Sequence, residues 1–322
     1  MKHKIFITVI ITLFIIPVLS LESTTSDTSQ DKDLIEEAEK LREEATEKDQ
    51  ETEDLARIRE LTEKIKYLNW RDQGIEETED NISAESFLIV NLSRSEGEKP
   101  FVLLKKDADK KHPIASITKL MSAVIAEENL DKNKTITLNP KMLSTYGYSP
   151  SLFPGAKVTA KDLMKASLIQ STNDASESLT HFMDTGVFIT LMNIKAQKLG
   201  MQDTSFFDAH GLNTDNKSTT IDLFKLISYM EKEHPKLLET TKEEKFQMPD
   251  QYGRYLTFKN LNVFHDIPNF IGGKTGYLPE AKQTYVCVFN IEDEKYAVIL
   301  LRSEDRKEDL KTAFEWLNSK PD

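Results

Sequence analysis

Cysteine is nearly absent from this chain. Cys287 stands alone, so neither a disulfide framework nor a thiolate metal cluster can be built. It lies in the alternating run Tyr285-Val286-Cys287-Val288-Phe289, which reads as a packed strand position rather than a reactive thiol. Histidine is thin as well. His3, His112, His181, His210, His234 and His265 never fall into His-Glu-x-x-His or His-x-His spacing, which excludes zinc-peptidase chemistry; no metal and no cofactor is expected. His210, beside Gly211, reads as a loop-packing residue. No Gly-x-Ser-x-Gly pentapeptide occurs, so a strand-to-helix nucleophile elbow is missing too. Positive charge is short: the formal net charge of −12 argues against nucleic acid as a partner.

What is present is unevenly spread. Residues 22–80 hold 21 Asp and Glu against nine Lys and Arg, so the acidity belongs to that segment and the remainder balances near zero. Lys2 and Lys4 precede an apolar run from Ile5 to Leu19, broken by Pro17 and ending in the cleavable-looking Val18-Leu19-Ser20. Residues 1–21 therefore read as a secretory signal peptide or signal anchor, and the rest of the chain is expected to be extracytoplasmic, secreted or held at the membrane. Across residues 22–80, Leu55, Ile58, Leu61, Ile65 and Leu68 recur at three- and four-residue steps between charges. That is the pattern of a helical stalk, a spacer or a self-associating coiled coil. Residues 24–33 are expected to be disordered. Residues 81–322 make the globular domain.

In that domain, residues 87–91 and 101–104 read as strands around a turn at 95–98, and residues 135–138 make a further short strand. A loop rich in Pro, Ser and Tyr spans 139–155. Thr159 and Asp162 form a capping box that opens a helix through Leu163, Leu168 and Ile169. Helices follow near 175–183 and 188–199, the second closed by Gly200, and Thr219 or Thr220 caps another. Strands at 256–259, 270–275, 284–290 and 297–302 then precede an amphipathic helix over 306–318. This order predicts an α/β fold: a mainly antiparallel sheet flanked by helices, with an inserted helical subdomain.

The segment that carries chemistry runs from His112 to Met121. Pro113 holds its predecessor out of the helix, and Ile117, Leu120, Met121, Val124 and Ile125 give the next helix an apolar face. Ser116 is placed at the helix start, and Lys119, three residues on, shares its face. An amine there can take the hydroxyl proton if burial or a second cation lowers its pKa. Ser-x-x-Lys alone is unspecific, since Ser29-Gln30-Asp31-Lys32 repeats it in a polar segment. Two further motifs give it weight. Ser171-Thr172-Asn173 follows a helix end, and Gly273-Lys274-Thr275-Gly276 places a cation and a hydroxyl on a sheet edge, where glycines let a substrate backbone approach.

Ser-x-x-Lys, Ser-x-Asn 55 residues later and Lys-Thr-Gly about 100 further on is the series of the penicillin-recognising serine enzymes. The chain resembles, among these, the D-alanyl-D-alanine carboxypeptidases of the low-molecular-mass penicillin-binding proteins. Residues 113–121, 154–155, 158–159, 162–163, 171–175, 199–201, 210–212 and 273–277 carry the likeness, which spans roughly 83–302. The resemblance implies a β-lactamase/transpeptidase-like fold and a hydrolase that removes the terminal D-Ala of peptidoglycan stem peptides and is acylated by β-lactams. It implies Ser116 as nucleophile, Lys119 as base with its pKa lowered by burial and by Lys274, and Ser171 as proton relay. Asn173 would position the substrate amide. Lys274 and Thr275 would bind the free carboxylate, Gly276 and Tyr277 would complete the substrate-binding edge, and the N–H groups of Ser116 and Tyr277 would form an oxyanion hole.

A class A β-lactamase is excluded, because no Glu-x-x-Leu-Asn lies between the second and third motifs. D,D-endopeptidase activity and a non-hydrolytic penicillin-binding scaffold are the alternatives. Two departures bear on the strand edge: Leu278 replaces the family's usual Thr, and Ala281-Lys282 replaces its Ala-Gly. The family's C-terminal β-domain and membrane-binding tail have no counterpart here, so attachment is expected from the N-terminal segment.

Overall fold

The computed structural model describes residues 81–92, 102–147, 152–250, 252–267, 269–291 and 293–318. The signal segment 1–21, the stalk 22–80 and the turn at 95–98 lie outside these residues. In chain order, β1 (Ser86–Asn91) and β2 (Val102–Lys106) come first, and β3 (His112–Pro113) leads into a 3₁₀ turn (Ala115–Ile117) and α1 (Thr118–Asn129). Next come β4 (Thr135–Thr137), β5 (Lys157–Thr159), α2 (Ala160–Ile169), α3 (Asn173–Thr180) and α4 (Thr185–Lys198). Then β6 (Lys217–Ser218), α5 (Thr220–Glu233) and α6 (Pro235–Thr240) precede the strands β7 (Lys245–Pro249) and β8 (Tyr255–Lys259). The chain closes with β9 (Phe270–Leu278), β10 (Lys282–Ile291), β11 (Glu294–Ser303) and α7 (Arg306–Asn318).

Five strands pair antiparallel in the order β2-β1-β11-β10-β9. Because side chains alternate across a strand, the same strands feed two cores. Leu88, Val90, Val286, Val288, Ile299 and Leu301 face the helical block between β2 and β9. Phe87, Ile89, Tyr285, Cys287, Phe289, Val298 and Leu300 fill the other face, with Leu310 and Ala313 of α7 among them. Cys287 is fully buried and its Sγ donates to the Val298 carbonyl at 3.5 Å; burial pushes the thiol well up, the state of an inert packed residue.

The α/β architecture with its inserted helices is as the sequence predicts. The capping box forms in full, Thr159 Oγ1 accepting from Asp162 N at 3.0 Å and Asp162 from Thr159 N at 3.2 Å, and Thr219 caps α5. Several short elements escaped the pattern. The two-residue strands β3 and β6 pair with each other, too brief for any period of two to register. β5 pairs with β4 and β7 with β8, and α6 is a six-residue helix opened by Pro235.

The strand edge that Leu278 and Lys282 put in question is intact, since β9 pairs with β10 as far as Leu278 opposite Lys282. Lys282 opens β10 with φ +50°, the left-handed region that favours glycine. Two carboxylates hold it there, Glu304 at 2.6 Å and Glu85 at 3.3 Å. Arg302 donates to Glu85 at 2.9 Å and is the main reason that carboxyl titrates at about 2. Lys282→Ala keeps the strained angle and loses both ion pairs, so its thermal midpoint is expected to fall by roughly 2 °C. Lys282→Gly also releases the strain and should lie closer to wild type. Thermal unfolding of the two variants side by side checks the order.

Candidate active site

The turn that carries Ser116 is pinned from two sides. Ile114 N donates to the Asn216 carbonyl at 3.0 Å, and Thr284 Oγ1 of β10 donates to the Ile114 carbonyl at 3.3 Å. Ala115 then takes φ +48°, a costly angle for a non-glycine residue and one characteristic of functional sites. This reversal changes the expected geometry. Ser116 sits inside the 3₁₀ turn, while α1 begins at Thr118 behind an N-cap, Ile117, that makes no side-chain cap. The serine hydroxyl is therefore not spent on the helix end, and it lies 2.9 Å from Lys119 Nζ.

Lys119 is fully buried. Its Nζ also donates to Asn173 Oδ1 at 2.7 Å and to the His210 carbonyl at 2.5 Å. Burial lowers its pKa to about 7, against the opposing pull of Asp208. The sequence assigned part of that lowering to Lys274. In the structure the repulsion between the two cations bears on Lys274, whose pKa burial, then Lys119, then Arg306 hold well below the usual amine range.

Ser171 has φ +57°, which turns the chain sharply between α2 and α3 and puts its hydroxyl 2.8 Å from Lys274 Nζ. Asn173 opens α3 and divides its amide: the oxygen takes Lys119, and the nitrogen donates to the Tyr146 carbonyl at 2.7 Å. Thr145 is tied to the neighbouring Asp174 through both its hydroxyl and its N–H. The loop at 145–147 is thus seated directly on the Ser-x-Asn motif.

The strand expected over 270–275 runs on to Leu278, so Lys274, Thr275, Gly276 and Tyr277 all lie within β9. Lys274 Nζ also donates to the Thr275 carbonyl at 2.9 Å. Gly276 must be glycine, because a Cβ there would stand 2.4 Å from Thr284 Oγ1 and 3.0 Å from the Ser116 nitrogen. Arg306, from α7, donates to the Gly276 carbonyl at 2.8 Å, and Tyr277 is 64% exposed at the rim. The first two motifs and Lys274 are thus joined by direct hydrogen bonds, and β9 sets Gly276 against the Ser116 turn.

Sequence reasoning missed four contributors: the His210 and Tyr146 carbonyls, Asp208 and Arg306. The His210 ring does pack into its loop as expected, 3.3 Å from Asp208 and 3.8 Å from Glu177, yet it is the backbone oxygen that reaches Lys119. Carbonyls leave no signature in a side-chain pattern, and Arg306 was hidden in an ordinary amphipathic helix.

A family model described as D-alanyl-D-alanine carboxypeptidase matches residues 73–304. The chain is 32% identical over 233 residues to the D-alanyl-D-alanine endopeptidase of Escherichia coli (strain K12), covering 68% of this chain and 71% of that protein. Among solved structures, the D-alanyl-D-alanine carboxypeptidase of Mycobacterium tuberculosis H37Rv superposes with a TM-score of 0.68 at 25% identity, over 77% of this chain and 96% of that one. Penicillin-binding protein D2 of Listeria monocytogenes, in its cefotaxime-bound form, gives 0.60 at 29% identity over 74% and 96%.

Proposed function

Because the chain belongs to the D-alanyl-D-alanine carboxypeptidase family, we propose that residues 81–322 are a serine D,D-peptidase domain that removes the terminal D-Ala of peptidoglycan stem peptides through an acyl-enzyme on Ser116. The observation that carries this reading is the buried Lys119 in contact with the Ser116 hydroxyl. Of the three oxygens around Nζ, two are carbonyl oxygens that can only accept. A neutral lysine keeps two N–H donors for those and turns its lone pair to Ser116, the one partner with a proton to give. At a pKa of about 7, close to half of the lysine is in that form near neutral pH.

The steps follow from this geometry. Lys119 takes the proton as Ser116 Oγ attacks the carbonyl carbon of the D-Ala-D-Ala bond. The N–H groups of Ser116 and Tyr277 receive the developing oxyanion. Lys274 and Thr275 supply N–H and hydroxyl donors, and Arg306 positive charge, for the leaving residue's carboxylate. As the C–N bond breaks, the proton held by Lys119 passes through Ser171, hydrogen-bonded to Lys274, to the departing amine, which leaves the lysine neutral again. Water then attacks the ester, and Lys119 takes its proton and returns it to Ser116 Oγ as the acyl bond breaks. A β-lactam offers the same amide-to-ester exchange without a departing fragment, which supports the expectation of inhibition by acylation.

The E. coli endopeptidase likeness gives a second reading, in which the bond cut joins two cross-linked stems. We further propose that residues 1–21 export or anchor the chain at the membrane facing the cell wall. Residues 22–80 would space the domain from that membrane or pair with a second copy. Among the described residues no helix is long and apolar enough to cross a membrane. The test incubates the full chain and Ser116→Ala with pentapeptide and with cross-linked muropeptide dimers, read by mass spectrometry. Loss of one D-alanine from the pentapeptide, absent in the variant, is the expected result; splitting of the dimer moves the assignment to endopeptidase. No change in either substrate refutes the hydrolase.

A further inference from the structure

Asp208 lies in the loop that returns the chain from α4 to β6, outside all three motifs, and its carboxylate is crowded with donors. Oδ1 accepts from the backbone N–H groups of His210 at 3.0 Å and Gly211 at 2.5 Å, and from Asn216 Nδ2 at 2.8 Å. Oδ2 accepts from Asn213 N at 2.6 Å and lies 3.3 Å from the His210 ring. The loop so gathered is seated on α1. Asn216 Nδ2 reaches Thr118 Oγ1 at 3.1 Å, Ser122 donates to the Ala209 carbonyl at 2.6 Å, and the His210 carbonyl meets Lys119 at 2.5 Å. One carboxylate thus closes a tight turn whose purpose, read from its contacts, is to aim a carbonyl at a buried amine.

We propose that Asp208 is a positioning residue for Lys119: its oxygens fix the His210 carbonyl against the amine, and its negative charge sets the pH range in which Ser116 is acylated. The proposal deepens the reading of Lys119 as the base and rests on it. Around that amine, β9 contributes the Lys274 amine and the loop contributes Asp208 and His210, while the α1 carboxylates Glu127 and Glu128 lie two turns further along the helix. From α3, Asp174 and Glu177 face the His210 ring, with His181 3.3 Å from Glu177. Asp208 is the group whose charge counters the effect of burial on Lys119. Remove that charge and the ammonium is less favoured, so the neutral base persists to lower pH.

The test is the second-order rate of acylation by benzylpenicillin across about pH 5 to 9, for wild type, Asp208→Asn and Asp208→Glu. Rates are normalised to the titre of acylatable Ser116, so that a partly unfolded sample still reports its midpoint. Asp208→Asn is expected to move the acidic midpoint down by roughly 0.5–1 pH unit. Asp208→Glu, which keeps the charge but displaces the turn, is expected to hold the midpoint and lower the plateau. An Asn variant whose plateau falls while its midpoint stays, or moves up, overturns the proposal and leaves Asp208 a purely structural residue. A wild-type profile with no rise near neutral pH would instead refute Lys119 as the base, and the Asp208 inference with it.

Discussion

Lys119→Met is expected to slow acylation of Ser116 by about 1000-fold, the usual scale for removing a general base. The variant keeps the length of the side chain and abolishes its proton chemistry. A second consequence is separable from activity. Burial holds wild-type Lys119 at about 7 in the folded protein against an ordinary lysine value of 10.5. Between those values the unfolded chain holds a proton that the folded one has released, so wild-type stability rises with pH across that window. Below pH 7 both states are protonated, and the full penalty of burying the cation applies. The rise is on the order of 5 kcal/mol in total. Methionine cannot titrate, so the stability of wild type relative to the variant should grow from pH 7 toward pH 10. Urea unfolding of both proteins at the two ends of that range measures it. A constant difference would mean that the buried amine stays charged.

Gly211→Ala is expected to be the most damaging single methyl in the domain. Gly211 has φ +89°, and a Cβ there would stand 1.9 Å from the Ala115 carbonyl oxygen and 3.0 Å from Thr118 Oγ1. Backbone has to move, and the backbone in question carries Ser116 on one side and the His210 carbonyl on the other. A loss of about 3 kcal/mol is expected from overpacking and strain together, and the folded fraction should acylate at least roughly 100-fold more slowly, as displaced reacting groups do. Gly200→Ala is the control. It has a similar φ, +70°, but nothing within 4 Å of the added carbon, so about 1–2 kcal/mol of left-handed strain is all it should show. Denaturant midpoints and β-lactam acylation rates for both variants decide the matter; equal losses would mean that contact with the Ala115 turn is unimportant.

Much of this site was legible before any coordinates, because its side-chain chemistry is written in residues with few other reasons to be so ordered. Ser116 with Lys119, Ser171 with Asn173, and Lys274 ahead of Gly276 were all found that way. Helices announced themselves through Thr159, Asp162 and Thr219, whose caps form as read. The rest depended on backbone. Nothing in alanine betrays a left-handed angle, so the reversal at Ala115 and the displacement of Ser116 from the helix start could not be anticipated. Asp208 looked like any loop carboxylate until its bonds to four N–H donors were visible. Lys282 read as a defect in the strand edge, whereas Glu85 and Glu304, distant in sequence, make that lysine workable.

The sheet order carries a kinetic consequence. Ser86 of β1 is in register with Leu301 of β11, so the second strand of the sheet waits for its inner neighbour until more than two hundred residues have followed it. β1 and β2 can pair early, but as a two-stranded ribbon that is marginal in water. The helical block can collapse sooner, on local contacts, while its apolar floor is still missing. Contacts of such long sequence separation make for slow folding and a long-lived exposed strand edge. A chain lengthening from its N-terminus therefore reaches residue 300 before β1 gains its inner neighbour.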